Sequence, residues 1–324
     1  MISTKVAGDI LDITSHRVKQ ILNSNDDLNF ERKEGSNGQI KIPSNTMSKL
    51  LKMRDKEINP KTCVIKSQKG GVGGTTITIN VAIRAAQKGA KVLVWDLDPE
   101  SNATTFLMQE DYDYSQAKTA LEIYKNEDLS LKDCVIPTRF DGVYLIPAKG
   151  IMRRVDRIVM SDNPKNLLKE KLKDLEGMGF TTILFDLPPT FSRLSESAYI
   201  TSDICLLPTD ASAFGIEGAI LTKEDIHESC KNFEQRLPEI KVFLSRAHNQ
   251  KRTSVKNSWE YLIEEFGPDM LPIKVPERAD VVNNINDGKS IFDGKCSADV
   301  RAAIDELVEI VAPIGELQDH EVLQ

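Results

Sequence analysis

Apolar and polar positions in residues 4 to 22 fall at helical spacing in two short blocks. Val6, Ala7, Ile10 and Leu11 share one helical face and Ile13 fills a turn. Thr14 or Ser15 can cap a second helix, whose buried face is Val18, Ile21 and Leu22. Residues 30 to 42 read as a β-hairpin closed by Gly35-Ser36-Asn37-Gly38, and Thr46 to Lys56 as a third helix that Asn59-Pro60 ends. From Lys61 onward the pattern changes. Short apolar runs at Cys63–Ile65, Lys91–Asp96, Val143–Ile146, Thr181–Asp186, Asp203–Leu207, Lys241–Leu244 and Leu271–Val275 alternate with helical patterns such as Ile77–Ala86 and Val300–Val311. Apolar strands separated by helices predict an α/β fold, a mainly parallel doubly wound sheet covered on both faces, with ligands at the carboxyl ends of its strands.

The chain has 324 residues, 40% hydrophobic and 28% charged, which suits a globular protein with ample core. No apolar run reaches the length of a membrane span, and Lys5 and Asp9 interrupt anything resembling a signal peptide, so a cytosolic address is expected. The five cysteines are scattered, without the close pairs of metal or redox motifs, and are read as reduced thiols. The net charge is −7, yet residues 1 to 60 hold ten Lys/Arg against eight Asp/Glu, +2, which leaves −9 for the remainder. His16, Arg17, Lys19 and Gln20 lie at the start of the second helix, where a recognition helix presents side chains to a major groove, and Arg32 and Lys33 lie in the hairpin. The expected division is a small winged helix-turn-helix DNA-binding domain at 1–45, a linker helix at 46–60 and a large domain at 61–324.

Between the first apolar strand and the helix from Ile77 stands Lys66-Ser67-Gln68-Lys69-Gly70-Gly71-Val72-Gly73-Gly74-Thr75-Thr76. A glycine-rich loop in that position cradles phosphate with backbone N–H groups, sends a lysine to the β/γ-phosphates and a hydroxyl to Mg²⁺. Position 74, where that lysine normally precedes the threonine, is glycine. A charge-assisted hydrogen bond to phosphate contributes about 1.5–3 kcal/mol, so its loss weakens nucleotide binding roughly tenfold to a hundredfold. Three accounts stay open: another cation compensates, with Arg153, Arg154 and Arg157 as candidates; the domain is a switch that barely turns over; or the loop has been altered by substitution.

Lys-Gly-Gly-Val-Gly-x-Thr-Thr at 69 to 76 resembles the deviant Walker A motif of ParA/MinD-type P-loop ATPases. Val94–Ala103 resembles that group's second aspartate motif and Ile183–Pro189 its Walker B. Asp203–Pro208, Phe214–Gly218, Leu271–Pro276 and Gly288–Ile291 match its later strands and loops, so the resemblance spans roughly 61 to 312. It implies a P-loop NTPase fold that hydrolyses ATP to ADP with Mg²⁺. Nucleotide contacts are then expected from Gly70, Gly71, Val72, Gly73, Gly74, Thr75, Thr76 and Pro276. Thr75, Asp96 and Asp186 are expected around Mg²⁺, Asp96 also orienting the attacking water. Lys69 is the signature lysine, reaching across a nucleotide-sandwich homodimer to the partner's phosphates. Glu100 departs from the glutamine usual there.

Larger ParA-type partition ATPases also carry an N-terminal DNA-binding region. The resemblance therefore implies a cytoplasmic, nucleoid-associated DNA partition ATPase that contacts a ParB-like centromere-binding protein and represses its own operon. Non-specific DNA contacts would come from the basic stretch with Arg246, His248, Lys251, Arg252 and Lys256, which reads equally well as a plain soluble loop. The acidic final helix and tail argue against a membrane anchor like that of MinD-like relatives. The alternative that Gly74 keeps open is a DNA-binding transcriptional regulator with a hydrolysis-impaired, nucleotide-sensing domain.

Overall fold

The computed structural model describes residues 1–32, 39–108, 112–113, 117–119, 122, 129–148, 163–247 and 253–317. Lys33, the hairpin turn, Arg153, Arg154, Arg157, His248, Lys251 and Arg252 lie outside them.

The chain opens with β1 (Ile2–Ser3), α1 (Thr4–Leu11) and α2 (Ser15–Asn23), then β2 (Glu31–Arg32) and β3 (Ile40–Ile42). Each helix starts on a hydroxyl cap: Ser3 accepts from the Val6 N–H and Thr14 from the Arg17 N–H. The turn between them is tight. A Cβ on Gly8 would stand 2.6 Å from the Ile13 carbonyl, so only glycine lets α1 meet the turn this closely. The three strands form an antiparallel sheet in the order β1-β3-β2.

The third helix differs from the expected Thr46–Lys56. It is α3 (Ser44–Lys52), and after Asp55, at φ 55°, the chain becomes β4 (Lys56–Ile58). β4 pairs antiparallel with β13 (Ile314–Glu316), at the far end of the sequence, and a partner that distant leaves no local signal.

An eight-stranded sheet forms the large domain. Its strands are β5 (Lys61–Ile65), β6 (Val92–Asp96), β7 (Ile136–Pro137), β8 (Val143–Ile146), β9 (Thr182–Asp186), β10 (Ile204–Thr209), β11 (Glu239–Ala247) and β12 (Met270–Pro276). The order is β12-β11-β10-β5-β9-β6-β8-β7, parallel except for the antiparallel edge strand β7. The principal helices are α4 (Gly74–Gln87), α5 (Asn102–Leu107), α6 (Arg193–Thr201), α7 (Ala213–Asn232), α8 (Thr253–Phe266), α9 (Ala279–Asn286) and α10 (Ala298–Val311).

Both faces of the sheet are buried, and successive strand residues alternate between two cores. Cys63, Ile65, Val92, Val94 and Leu184 join α4 and α10 on one face, while Val64, Leu93, Trp95 and Phe185 join α6 and α7 on the other. The first core also takes in Ala7, Leu11, Val18, Leu22, Met47, Leu50 and Leu51, so the N-terminal module shares apolar packing with the large domain.

The docking is close because two glycines permit it. Gly89 and Gly142 have φ of 105° and 79°, and a Cβ on Gly142 would stand 2.4 Å from the Ser44 hydroxyl. The Ser44 N–H donates to Asp141 at 2.7 Å, and its hydroxyl donates to the Ala90 carbonyl at 3.1 Å. Gly142→Ala should therefore lower stability by about 1–3 kcal/mol, through overpacking and an unfavourable backbone conformation. Urea unfolding checks this, and an unchanged midpoint would mean that α3 is loosely held.

Candidate nucleotide-binding site

β5 lies centrally, between β10 and β9, so the chain leaving Ile65 turns inside the crevice at the strands' carboxyl ends. Gly71 and Gly73 adopt φ of 83° and 89°, a conformation that costs a residue with a side chain roughly 1–2 kcal/mol. Glycine at these two positions is thus a requirement of the turn. α4 follows directly and no side chain caps its first turn, which leaves a positive helix end and backbone N–H groups for an anion. Gly74 is different. A Cβ there meets nothing within 4 Å and its φ is not positive, so packing does not demand glycine.

Beneath this helix start two carboxylates are buried side by side. Asp96 and Asp186 end the adjacent strands β6 and β9 in register, and both are essentially inaccessible. Asp96 accepts from the Thr104 N–H at 2.9 Å, the Thr104 hydroxyl at 2.7 Å and the Asp98 N–H at 3.0 Å. Burial nevertheless pushes its carboxyl up to about 6, against those hydrogen bonds. Asp186 accepts from the Thr78 hydroxyl at 3.2 Å, while its Oδ2 is buried without a hydrogen-bond partner. Burial first, then the charge of Asp96, holds Asp186 well above the usual carboxylate range; the Thr75 and Thr78 hydroxyls oppose the rise.

An orphaned carboxylate oxygen beside a threonine hydroxyl at a helix start fits Mg²⁺, a hard cation that takes oxygen ligands. Among the described residues no cluster of three or more His, Cys, Asp or Glu could hold a metal by itself. That suits Mg²⁺, which is usually bound by one or two carboxylates together with water and substrate phosphates. Thr75, Asp96 and Asp186 thus lie together at the start of α4.

Lys69 is held within its own chain. Its ammonium pairs with Asp210 and donates to the Ser212 hydroxyl at 2.9 Å, just before α7. Burial would raise Asp210, but the hydrogen bonds from Lys69 and Ser212 outweigh it and hold the carboxyl below its ordinary value. Lys66, fully buried, donates to the carbonyls of Pro188 and Thr190 and so ties the loop after β9 to the end of β5. Pro276 lines a cavity of about 280 Å³ with Gly71, Gly73, Thr76, Arg246 and Val281, and the Ser245 hydroxyl donates to the Val72 carbonyl at 2.6 Å. Gly71, Val72, Gly73, Thr76 and Pro276 therefore border one space, while Thr75 lines a neighbouring cavity of about 720 Å³ with Thr76 and Thr104.

Sequence reasoning missed Thr78, Thr104, Lys66, Asp210 and Ser212. Thr78 carries the one available signal, since it lies three residues after Thr75 on the same helix. Arg246, grouped by sequence with a basic stretch, is instead turned onto the phosphate loop, its guanidinium donating to the Gly71 carbonyl.

The proposed nucleic-acid side chains are elsewhere. His16, Arg17, Lys19 and Gln20 are exposed on α2; Arg17 donates to Gln20 at 3.2 Å and Gln20 bonds His16 at 3.0 Å. Arg32 lies over the Phe30 ring and donates to Asn23 at 3.1 Å, which places the β2 edge beside the end of α2.

A family model described as an AAA domain, AAA_31, matches residues 60–238. The chromosome partitioning protein ParA of Caulobacter vibrioides is 25% identical over 244 residues, spanning 74% of this chain and 90% of that protein. An ATP complex of McdA from Cyanothece superposes with a TM-score of 0.69 at 25% identity, over 78% of this chain and 96% of that one. A structure titled Partition Protein matches in fold with a TM-score of 0.66 at 17% identity, covering 90% of each chain. That share exceeds what the residues from 61 onward can supply, so the likeness of fold reaches into the N-terminal module.

The paired carboxylates generate a stability prediction. A carboxyl whose folded value is raised contributes stability below the unfolded value and loses it as pH rises through the folded one. Asp186→Asn removes the repulsion from Asp96, so metal-free protein should melt higher than wild type at pH 7.5, the difference shrinking toward pH 4. Differential scanning calorimetry checks this, and a lower melting temperature at pH 7.5 would mean that the pair is not strained.

Proposed function

The chain belongs to the AAA_31 family of AAA domains, as a ParA/MinD-type P-loop ATPase, and from that premise we propose that it is a DNA partition ATPase working as a nucleotide-gated homodimer. The observation that carries the reading is the meeting of Thr75, Asp96 and Asp186 beneath the glycine loop, with an Asp186 oxygen buried without a hydrogen-bond partner. Bound Mg²⁺ would neutralise the phosphate charge and relieve the carboxylate pair. The loop N–H groups and the α4 helix end bind the phosphates, and Pro276 borders the remaining nucleotide. Asp96, clamped by Thr104 and Asp98, orients the attacking water. In the dimer Lys69 leaves Asp210 and Ser212 for the partner's phosphates, so the exchange of one anionic partner for another couples nucleotide to assembly.

The first two helices and the sheet β1-β3-β2 support reading the N-terminal module as a winged helix-turn-helix. α2 then presents His16, Arg17, Lys19 and Gln20 to an operator, through which the protein represses its own operon. A ParB-like protein bound to centromeric DNA is the expected partner, and Lys251 and Arg252 are assigned to non-specific DNA contacts. Among the described residues no helix is long and apolar enough to cross a membrane. A cytoplasmic, nucleoid-associated location follows from this reading. Gly74 favours the second reading, a DNA-binding regulator whose P-loop domain senses nucleotide without hydrolysing it.

Phosphate release with ATP and Mg²⁺, with and without DNA, decides between them. The partition reading expects wild type to exceed the Asp96→Ala background. Turnover seen only after Gly74→Lys would leave the regulator. Operator binding is tested by point substitution, since removing residues 1 to 56 would cut into β4 at Lys56 and expose the shared core. Arg17→Ala with Lys19→Ala should weaken operator binding and reduce the salt slope by about 1 for each DNA phosphate no longer neutralised. An unchanged gel shift would remove α2 from DNA recognition.

A further inference from the structure

We propose that Arg246 supplies to the nucleotide phosphates the positive charge that Gly74 withholds. The inference rests on the nucleotide-binding reading above.

Three observations support it. The first is proximity: Arg246 lines the cavity shared with Gly71, Gly73 and Thr76, and its Nη1 donates to the Gly71 carbonyl. The second is that the backbone is arranged to bring it. β11 and β12 change register between Leu244 and Ala247, and within that irregularity Arg246 adopts φ 50°. A strand irregularity re-aims a side chain, and a left-handed conformation at a long side chain is sustained only where its surroundings hold it. Those surroundings are present: Nε and Nη2 both donate to Glu277, at 3.0 Å for Nε, and the neighbouring Ser245 hydroxyl donates to Val72 of the loop.

The third is that, within this chain, three neighbouring cations are held by groups outside the phosphate loop, whereas Arg246 is held on it. Lys66 is buried on two carbonyls beyond β9, and Lys69 is held by Asp210 and Ser212. Arg278, which also lines the cavity, pairs with Asp299. Among the described residues the hydrogen bonds of Arg246 use three of its five N–H donors, which leaves one N–H on Nη1 and one on Nη2 for phosphate oxygens. Because the charge arrives from β11 rather than from α4, the helix start at residue 74 carries no side chain and still faces a cation.

The test is a two-by-two comparison of ATP–Mg²⁺ affinity by calorimetry, with Arg246→Ala and Gly74→Lys alone and combined. Arg246→Ala should weaken binding about tenfold to a hundredfold in the wild-type loop, the effect of removing one charge-assisted hydrogen bond to phosphate, and about threefold or less in the Gly74→Lys background. Adenosine affinity should stay within about threefold throughout, since adenosine has no phosphate for the guanidinium to meet. Arg246→Gln keeps a donor for the Gly71 carbonyl without the charge, and must reproduce the loss if Arg246→Ala disturbs the loop. An equal loss in both backgrounds, or a parallel loss for adenosine, would overturn the proposal by making Arg246 a base, ribose or structural contact. Absence of ATP binding in wild type and in Gly74→Lys alike would instead refute the nucleotide-binding reading itself.

Discussion

Burying two carboxylates on adjacent strand ends is the constraint around which the large domain is arranged. Each charge loses solvation and each repels the other, so the pair persists only because other groups offset it. Asp96 is held by a hydroxyl and two backbone N–H groups, whereas Asp186 has the hydroxyls of Thr75 and Thr78 and the positive start of α4. The sheet supplies the geometry. β6 and β9 are neighbours, and β9 also pairs with β5, so the glycine loop emerges beside the strand that ends in Asp186 and two strands from the one that ends in Asp96. Stability is given up at this point, and strained polar groups of this kind commonly mark functional sites.

The N-terminal module is tied to this domain at the other end of the sheet. α3 rests on Gly89 and Gly142, β4 pairs with β13, and the apolar face of the first helices continues the core that α4 and α10 cover. α4 therefore begins at the phosphate loop and packs against α3 further along the same core.

Much of this was legible in the sequence, because the large domain is built from local patterns. Apolar runs bounded by turn residues located β6, β8 and β9 to within a residue, since strands buried on both faces have no polar positions to confuse the pattern. The places of the loop, Asp96 and Asp186 at strand ends were readable because an apolar run precedes each of them. What stayed hidden depends on partners distant in sequence. β4 needs β13, Lys69 needs Asp210, and Lys66 needs the carbonyls of Pro188 and Thr190. Arg246 was hidden for a further reason: a change of strand register and a left-handed backbone decide its direction, and neither has a signature in residue type.

The central claim is that Thr75, Asp96 and Asp186 form a Mg²⁺ site which acts only together with nucleotide phosphates. Calorimetric titration of wild-type protein with ATP, in excess Mg²⁺ and again in EDTA, tests it most directly. The account predicts binding that is strong with Mg²⁺ and falls at least about tenfold without it. Equal affinity under the two conditions would contradict the account, since the buried carboxylates would then take no part in holding the nucleotide.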